Sequence, residues 1–550
     1  MPSAAPSRHA RQCWLALVAA SLFAVPASAQ VPLHRRIDEL IQTGQADYAR
    51  IASPLAEDAE FLRRVYLDLT GVVPSPDEVR TFLADTAPAR RATLIDRLLA
   101  SEKHAFHMAE VFEVLLMDRR PDKHVKRPDW MAFLRDSFQA NKPYDQLVRE
   151  ILSADGADPK TRPAARFVLD RDGDPHVLTR DIGRLFLGMN LKCAQCHDHP
   201  LVDAYKQDHY YGIFAFLNRS YLYADKAAKV TVFAEKGEGE VSFQSVFMAK
   251  VTKNTGPRLP ENAEVKEPKF DKGQEYVAPV KQGERGIPKF SRRAQLAQQL
   301  TTTDNPRFAR SAVNRIWSIY LGRGLIHPVE YDHQGNPPSH PELLTLLTDE
   351  FVAHQFDLRW LTRELILSET YQRSSTAPTG SAPTDPARFA VAPLRPRSPE
   401  QLAWSLVQAT GQLELERKAL GPKGTETALH AKLAPQIATF VSLFGNQPGE
   451  PASSQDFEAT LDQSLFLRNG KVVRGWLAPT GDNLTGRLLK QTDAGPIAEE
   501  LYLAVFARRP SAEEQKLIAD YLARHGGDRA TALPDLAWAL LSSAEFRFNH

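Results

Sequence analysis

Phe61-Leu62-Arg63-Arg64-Val65-Tyr66-Leu67-Asp68-Leu69-Thr70-Gly71, with Ser75-Pro76-Asp77-Glu78 close behind it, decides the fold class. Phe61, Leu62, Val65, Tyr66 and Leu69 recur at helical spacing, and Gly71 is a natural stop because glycine enters the left-handed cap without a Cβ penalty. Ser75 then offers an N-cap oxygen, Pro76 a pre-set φ at the first helical position, and Glu78 the return bond of a capping box. Val79, Phe82 and Leu83 give the second helix its apolar face. Outward from here, amphipathic stretches at 91–100, 104–117, 129–139 and 144–153 predict further helices. Residues 155–175, rich in Gly, Asp, Pro and Arg, read as a loop, and a helix from about Thr179 to Leu191 follows.

The texture changes between about Ser220 and Lys289. Lys229-Val230-Thr231-Val232-Phe233, Glu240-Val241-Ser242-Phe243 and Val246-Phe247-Met248 combine β-branched residues with Gly and Pro punctuation. They predict a small β-rich insert, with 253–289 as an extended linker. From Ser291 onward the pattern is helical again. Ser339-His340-Pro341-Glu342, Ser398-Pro399-Glu400-Gln401 and Ser511-Ala512-Glu513-Glu514 each open an apolar-periodic run with cap chemistry. Residues 374–396, 420–428 and 446–456 read as surface loops. The expected protein is mainly α, with two helical domains and a small β-rich insert between them. The expected divisions are 1–29 signal peptide, 30–219 helical domain, 220–289 insert and linker, and 290–550 helical C-terminal domain.

Lys and Arg total 68 against 67 Asp and Glu, with no clustered basic block. That balance argues against a nucleic-acid partner. At the start of the chain, Arg8, His9 and Arg11 precede the apolar run Trp14–Val25, and Pro26 and Ala27-Ser28-Ala29 follow. This is the layout of a Sec-type signal peptide cleaved after Ala29, so the mature protein is expected to be exported, in the periplasm of a bacterium, and not integral to the membrane. No Arg pair suggests the twin-arginine route, and Cys13 lies too early for a lipid anchor. Cys13 leaves with the signal peptide, so Cys193 and Cys196 are the only thiols of the mature chain. One disulfide at most is available, and stability must come from burial.

Those two thiols stand in Cys193-Ala194-Gln195-Cys196-His197. Cys-x-x-Cys-His suits covalent attachment of one c-type heme. The thiols reach the two porphyrin vinyl groups as thioethers, and the adjacent imidazole lies beneath the iron. Export fits, because heme c is attached after translocation and covalent linkage prevents its loss. The residues leave other chemistries open: a disulfide or redox thiol pair, a zinc site using Cys193, Cys196, His197 or His199, or non-heme iron or copper. For the opposite side of the iron, His199 is too near in sequence and Met189 reads as core, whereas His209 and Met248 are freer, with packing or surface the commoner role of each; a five-coordinate iron would favour ligand binding or peroxide chemistry. Tyr205, Tyr210, Tyr211, Phe214 and Phe216 form an aromatic cluster after the motif, read as helix core ahead of a heme-edge wall.

The stretch Leu187–Pro200, with its CAQCHDHP core, and Asp208-His209-Tyr210-Tyr211-Gly212 resemble the cytochrome-c-like domain first described in planctomycete proteins (the PSCyt family). His209 stands where that family usually has Asp, and Phe61–Gly71 matches the domain's N-terminal signature. The second half is similar to the PSD-type partner domain that follows it, through Asn305–Arg310, Val313–Trp317, Gly322–Leu325, Pro338–Leu344 and the closing Trp538–Leu541 with Glu545-Phe546. The resemblance implies a cytochrome and no particular reaction, since both domains are of unknown function. It covers nearly all of the chain after residue 29.

Other residues have weaker claims. Asp198 and His199 suit a heme propionate, the proximal imidazole, or a cap and turn before Pro200. His340 and Glu342 sit in a capping pattern. Asn314, Arg315 and Arg323 suit an anion, but an arginine bridging two helices is the commoner use of its planar fork. The leading expectation is a monoheme cytochrome that passes electrons to a redox partner protein or serves as the redox module of an oxidoreductase complex. The rivals are a secreted scaffold braced by a metal or disulfide at the motif, and an open-site heme enzyme.

Overall fold

The computed structural model describes residues 31–281, 283–380, 383–445, 463 and 470–550. The expected signal peptide and the expected loop at 446–456 lie outside the described residues. The fold is mainly α, with two small two-stranded sheets between the helical halves.

The Asp58–Thr70 helix ends as its sequence predicts. Gly71 takes φ 72° and its N–H closes onto Leu67 O at 3.1 Å. A Cβ there would stand 2.6 Å from His107 Nδ1, so close packing and the left-handed backbone both demand glycine. The helix is not an ordinary amphipathic one, however. Every residue from Phe61 to Thr70 is buried, including Arg63, Arg64 and Asp68. The two guanidinium groups bind backbone from the far half of the chain: Arg63 donates to Val505 O and Glu545 O at 3.1 and 2.5 Å, and Arg64 to Tyr371 O and Arg373 O, both at 2.7 Å. Buried charge is tolerated here because carbonyl dipoles replace the lost water.

Two hydrophobic cores flank this helix. One draws on residues from Leu33 to Ala390, joined by Leu503 and Ala507, and includes Phe61, Trp130, Phe167, Phe308 and Trp317. The other gathers residues from Leu402 to Phe546 around Leu67, Val72 and Val73. Neighbouring residues of one helix therefore serve both.

Capping boxes form at Ser75/Glu78, Ser398/Gln401 and Ser511/Glu514. The expected cap at 339–342 does not: the N-cap is His340, and its side chain makes no cap bond. The helix ahead of the cysteines runs Pro175–Phe186 and not 179–191, because Asp174 Oδ1 accepts from His176 N and Val177 N at 2.7 and 3.2 Å and caps it earlier. The expected loop before it holds a 3-10 turn at Arg162–Ala165 and a short helix at Arg166–Leu169. The expected loop at 420–428 gives way to a helix at Glu426, capped by Thr425.

In the insert, β1 (Ser220–Asp225) pairs antiparallel with β2 (Val230–Glu235), and β3 (Val241–Ser245) with β4 (Met248–Thr255). Two-stranded ribbons are marginal alone, and each leans on a helix or its approach. Phe243 stacks on Tyr211 of the Gln207–Leu217 helix at 4.3 Å, and Phe233 packs over Gly173. The polar segment after β4 is pinned, with Arg258 N bonded to Gly212 O at 3.1 Å and Glu267 paired to Arg219 and Arg292. Among the described residues no helix is long and apolar enough to cross a membrane.

Candidate functional site

Cys193–Gln195 forms a single 3-10 turn, with the N–H groups of Cys196 and His197 both directed to Cys193 O, at 3.1 and 3.3 Å. Residues three apart eclipse on such a turn, so the spacing sets the two thiols on one side. Both cysteines are exposed and unlinked. The turn is fixed from beneath: Ala194 is buried, Arg180 Nη1 donates to Gln195 Oε1 at 2.7 Å, and Tyr211 Oη donates to Gln195 O at 3.0 Å.

His197 and His199 hold opposite tautomers. His197 Nδ1 lies 2.7 Å from Asp198 O. A carbonyl only accepts, so Nδ1 carries the hydrogen and Nε2 keeps its lone pair. His199 Nδ1 instead accepts from Leu201 N and Val202 N at 3.2 and 3.1 Å, which leaves the hydrogen on Nε2. His199 is thus a turn residue, further tied by its own N–H to Tyr205 O at 2.9 Å. Asp198 is a cap: its Oδ1 accepts from Gln207 N at 2.8 Å.

The tip of the β3–β4 ribbon reaches the motif. Val246 N donates to Cys196 O at 3.1 Å, and the Phe247 ring sits 5.0 Å from the His197 ring. Phe247 is 78% exposed and Leu201 90%, with Val246 and Met248 also exposed. Three consecutive exposed apolar residues at the ribbon tip are unusual on a solvent-facing surface. The exposed triplet Val246-Phe247-Met248 in a polar stretch was the signal that could have found this contact.

The second half of the chain backs the site, which the sequence did not indicate. Asn190 N donates to Glu330 O at 2.9 Å, and Asn190 Nδ2 to Tyr331 Oη at 3.1 Å. The buried Tyr205 lies edge-on to both His199 and His333, at 5.9 and 5.4 Å. Burial, and then the neighbouring His199, keep His333 below the usual histidine range.

The remaining candidates divide clearly. Met189 is fully buried core, bridged to Tyr331. His209 is half-buried; its Nδ1 donates to Ala204 O at 2.8 Å, leaving Nε2 free, and burial lowers its pKa. Met248 stands exposed at the ribbon tip, one residue beyond Phe247. Tyr205, Tyr210 and Phe216 are fully buried core, while Tyr211 touches the motif and Phe214 is partly buried. Asn314 clamps Ile326 through both backbone groups at 2.9 Å, and Arg315 donates to Arg184 O at 2.9 Å. Both are structural. Arg323 stands beside His327. His340 contacts Gln45 and Ser339, and Glu342 is exposed in the first turn of its helix.

A covalent heme needs two thiols on one side of a turn and an imidazole whose Nε2 is free; Cys193, Cys196 and His197 fit both demands. A tetrahedral zinc site needs four ligands, and among the described residues no group of three or more His, Cys, Asp or Glu side chains is placed to hold a metal ion.

Residues 36–221 match the family model PSCyt2, described as a protein of unknown function (DUF1549), and residues 292–522 match PSD1, described as a protein of unknown function (DUF1553). Neither the curated proteins nor the solved structures contain a match to the chain. The chain therefore carries a PSCyt2 domain followed by a PSD1 domain, both of unknown function.

Proposed function

We propose that this chain is an exported c-type cytochrome. In this reading a single heme c is attached at Cys193 and Cys196 and ligated by His197, and it passes electrons to a redox partner protein or serves as the redox module of an oxidoreductase complex. The observation that carries this reading is the His197 Nδ1–Asp198 O bond of 2.7 Å beside two exposed thiols on one turn. When bound, heme c supplies reversible one-electron chemistry at its iron. The part of Asp198 O is to fix the imidazole's rotation and raise the basicity of Nε2, as carbonyl partners do for metal-bound histidines. The part of each thiol is to add across a vinyl group, its sulfur and hydrogen going to the two carbons of the double bond. Val246, Phe247 and Met248, at the ribbon tip beside Cys196 and His197, would supply exposed apolar surface for such a group. The Sec-type leader in the sequence supports export.

The test is expression in a host with c-type maturation machinery. The expected result is a Soret band and a mass increase that survive denaturation. Cys193→Ala/Cys196→Ala is expected to abolish both. A double variant that keeps the same spectrum and mass overturns the proposal, as does purified parent protein holding zinc and no iron.

A further inference from the structure

A cleft of about 910 Å³ lies away from the cysteine motif, between the 123–126 segment, the Arg127–Gln139 helix, the 159–163 turn and the start of β2 with Lys229 before it. Its charges do not balance. Lys126, Lys160 and Lys229 are exposed on its walls, and none has a carboxylate partner among the described residues. Arg162 lies among them and is likewise without an ion pair: Nη1 donates to Gly156 O and Thr231 O at 2.6 and 2.9 Å, and Nη2 to His124 O at 2.9 Å. Three backbone segments are thereby tied to one guanidinium that keeps its full charge. Lys123 and Lys142 are paired with Asp172 and Glu150 outside the lining. Of the two lining carboxylates, Asp136 is held by Arg135 at 2.7 Å, which leaves Asp129 alone against the surplus.

Two local features mark the cleft wall. His124 Nε2 is buried in the wall without a hydrogen-bond partner, and the nearest carboxylate oxygen, Asp172 Oδ1, is 3.9 Å off. Buried polar atoms are normally satisfied. Lys229 also holds a left-handed backbone, φ 56°, at a turn position where glycine or asparagine is usual.

We propose that this cleft binds a small organic ligand carrying two or more phosphate or sulfate groups. The surplus is local, because the whole chain has 68 basic and 67 acidic residues. The size is that of a small-molecule pocket, for which about 300–1,000 Å³ is usual. Lysine ammonium groups are point charges that suit the oxygens of tetrahedral oxyanions, with no planar fork to satisfy. Phe133, Pro163 and Val230 add apolar wall, which suits a carbon skeleton more than a bare inorganic ion.

Titration calorimetry at low salt with inositol hexakisphosphate and with sucrose octasulfate tests this on the full chain. At least one probe is expected to bind at a single site, and which one binds separates phosphate from sulfate recognition. Lys126→Glu/Lys160→Glu/Lys229→Glu is expected to weaken binding about tenfold or more. A charge-matched control elsewhere on the surface, Lys266→Glu/Lys423→Glu/Lys471→Glu, is expected to keep most of the affinity. All six lysines are exposed, so both variants should melt like the parent; a cleft triple that melts lower is replaced by Lys160→Glu alone, expected to weaken binding about threefold. Failure of both probes to bind, or equal loss in cleft and control variants, overturns the assignment.

Discussion

Asp68 holds Arg395 through both carboxylate oxygens, at 2.8 and 2.7 Å, although 327 residues separate them. The same carboxylate accepts the Tyr371 hydroxyl and Asn549 Nδ2, each at 2.8 Å. Arg63 and Arg64, on the same helix, bind carbonyls of the second half. The stretch that reads as one plain helix is therefore also the joint between the two halves of the molecule.

Asp68→Asn is expected to lower unfolding stability by about 3 kcal/mol, because the isostere removes the charge and leaves the Arg395 guanidinium largely buried without a counter-ion. Asp68→Asn/Arg395→Met should recover part of that loss. Urea unfolding of the three proteins checks both statements. A single variant within about 0.5 kcal/mol of the parent would show that the pair does not hold the joint.

Acidification should loosen the same region. His104 and His107 are buried beside the end of the Asp58–Thr70 helix, and His104 Nδ1 donates to Leu69 O at 2.9 Å. Burial pushes their pKa values down to about 4 and about 3, with His104 adding repulsion to His107. In the unfolded chain both titrate near 6.5. The unfolded state therefore takes up protons first, so their stabilising effect is complete above about pH 6.5 and falls away as pH drops toward about 4. Between about pH 6.5 and 5 the two together should account for a loss of about 3 kcal/mol. His107→Gln should halve the slope of stability against pH in that window, and an unchanged slope would refute the assignment.

Legibility followed the range of the forces. Capping boxes and the Gly71 stop were readable because a few adjacent residues determine them. Asp174-Pro175 is equally local, yet its Gly- and Asp-rich approach reads as loop and hides the cap. The Cys193-Ala194-Gln195-Cys196-His197 turn was legible as a motif. Its surroundings were not, because the Phe247 contact, the Glu330 and Tyr331 bonds and the pinning of Gln195 by Arg180 come from tertiary packing with no periodicity. The buried side of Arg63, Arg64 and Asp68 was hidden for the same reason: charged residues on a helix predict solvent until the chain that covers them is known.

Asp198 separates backbone from side-chain roles at the motif. Its side chain serves Gln207 N and its carbonyl serves His197. Asp198→Ala is expected to cost about 1 kcal/mol, as loss of a capping oxygen does, while the absorbance spectrum of heme-loaded protein stays unchanged. A shifted spectrum with undiminished stability would reverse the two roles.

The opposite tautomers of His197 and His199 can be read without any heme. In the neutral ring, each hydrogen is fixed by its neighbour: a carbonyl at His197 Nδ1 and two amide donors at His199 Nδ1. Nitrogen NMR of ¹⁵N-histidine-labelled apoprotein near pH 8 should therefore report a protonated Nδ1 at His197 and a protonated Nε2 at His199. Phe247→Ala tests what holds the His197 ring in place. Phe247 buries little of its own surface, so its loss should change stability by no more than about 0.5 kcal/mol. It removes the ring 5.0 Å from the imidazole but leaves Asp198 O in place, so the His197 hydrogen should stay on Nδ1 while the ring becomes more mobile. His199 does not touch Phe247 and should not respond. A His197 hydrogen found on Nε2 in the parent protein would remove the observation on which the heme reading rests.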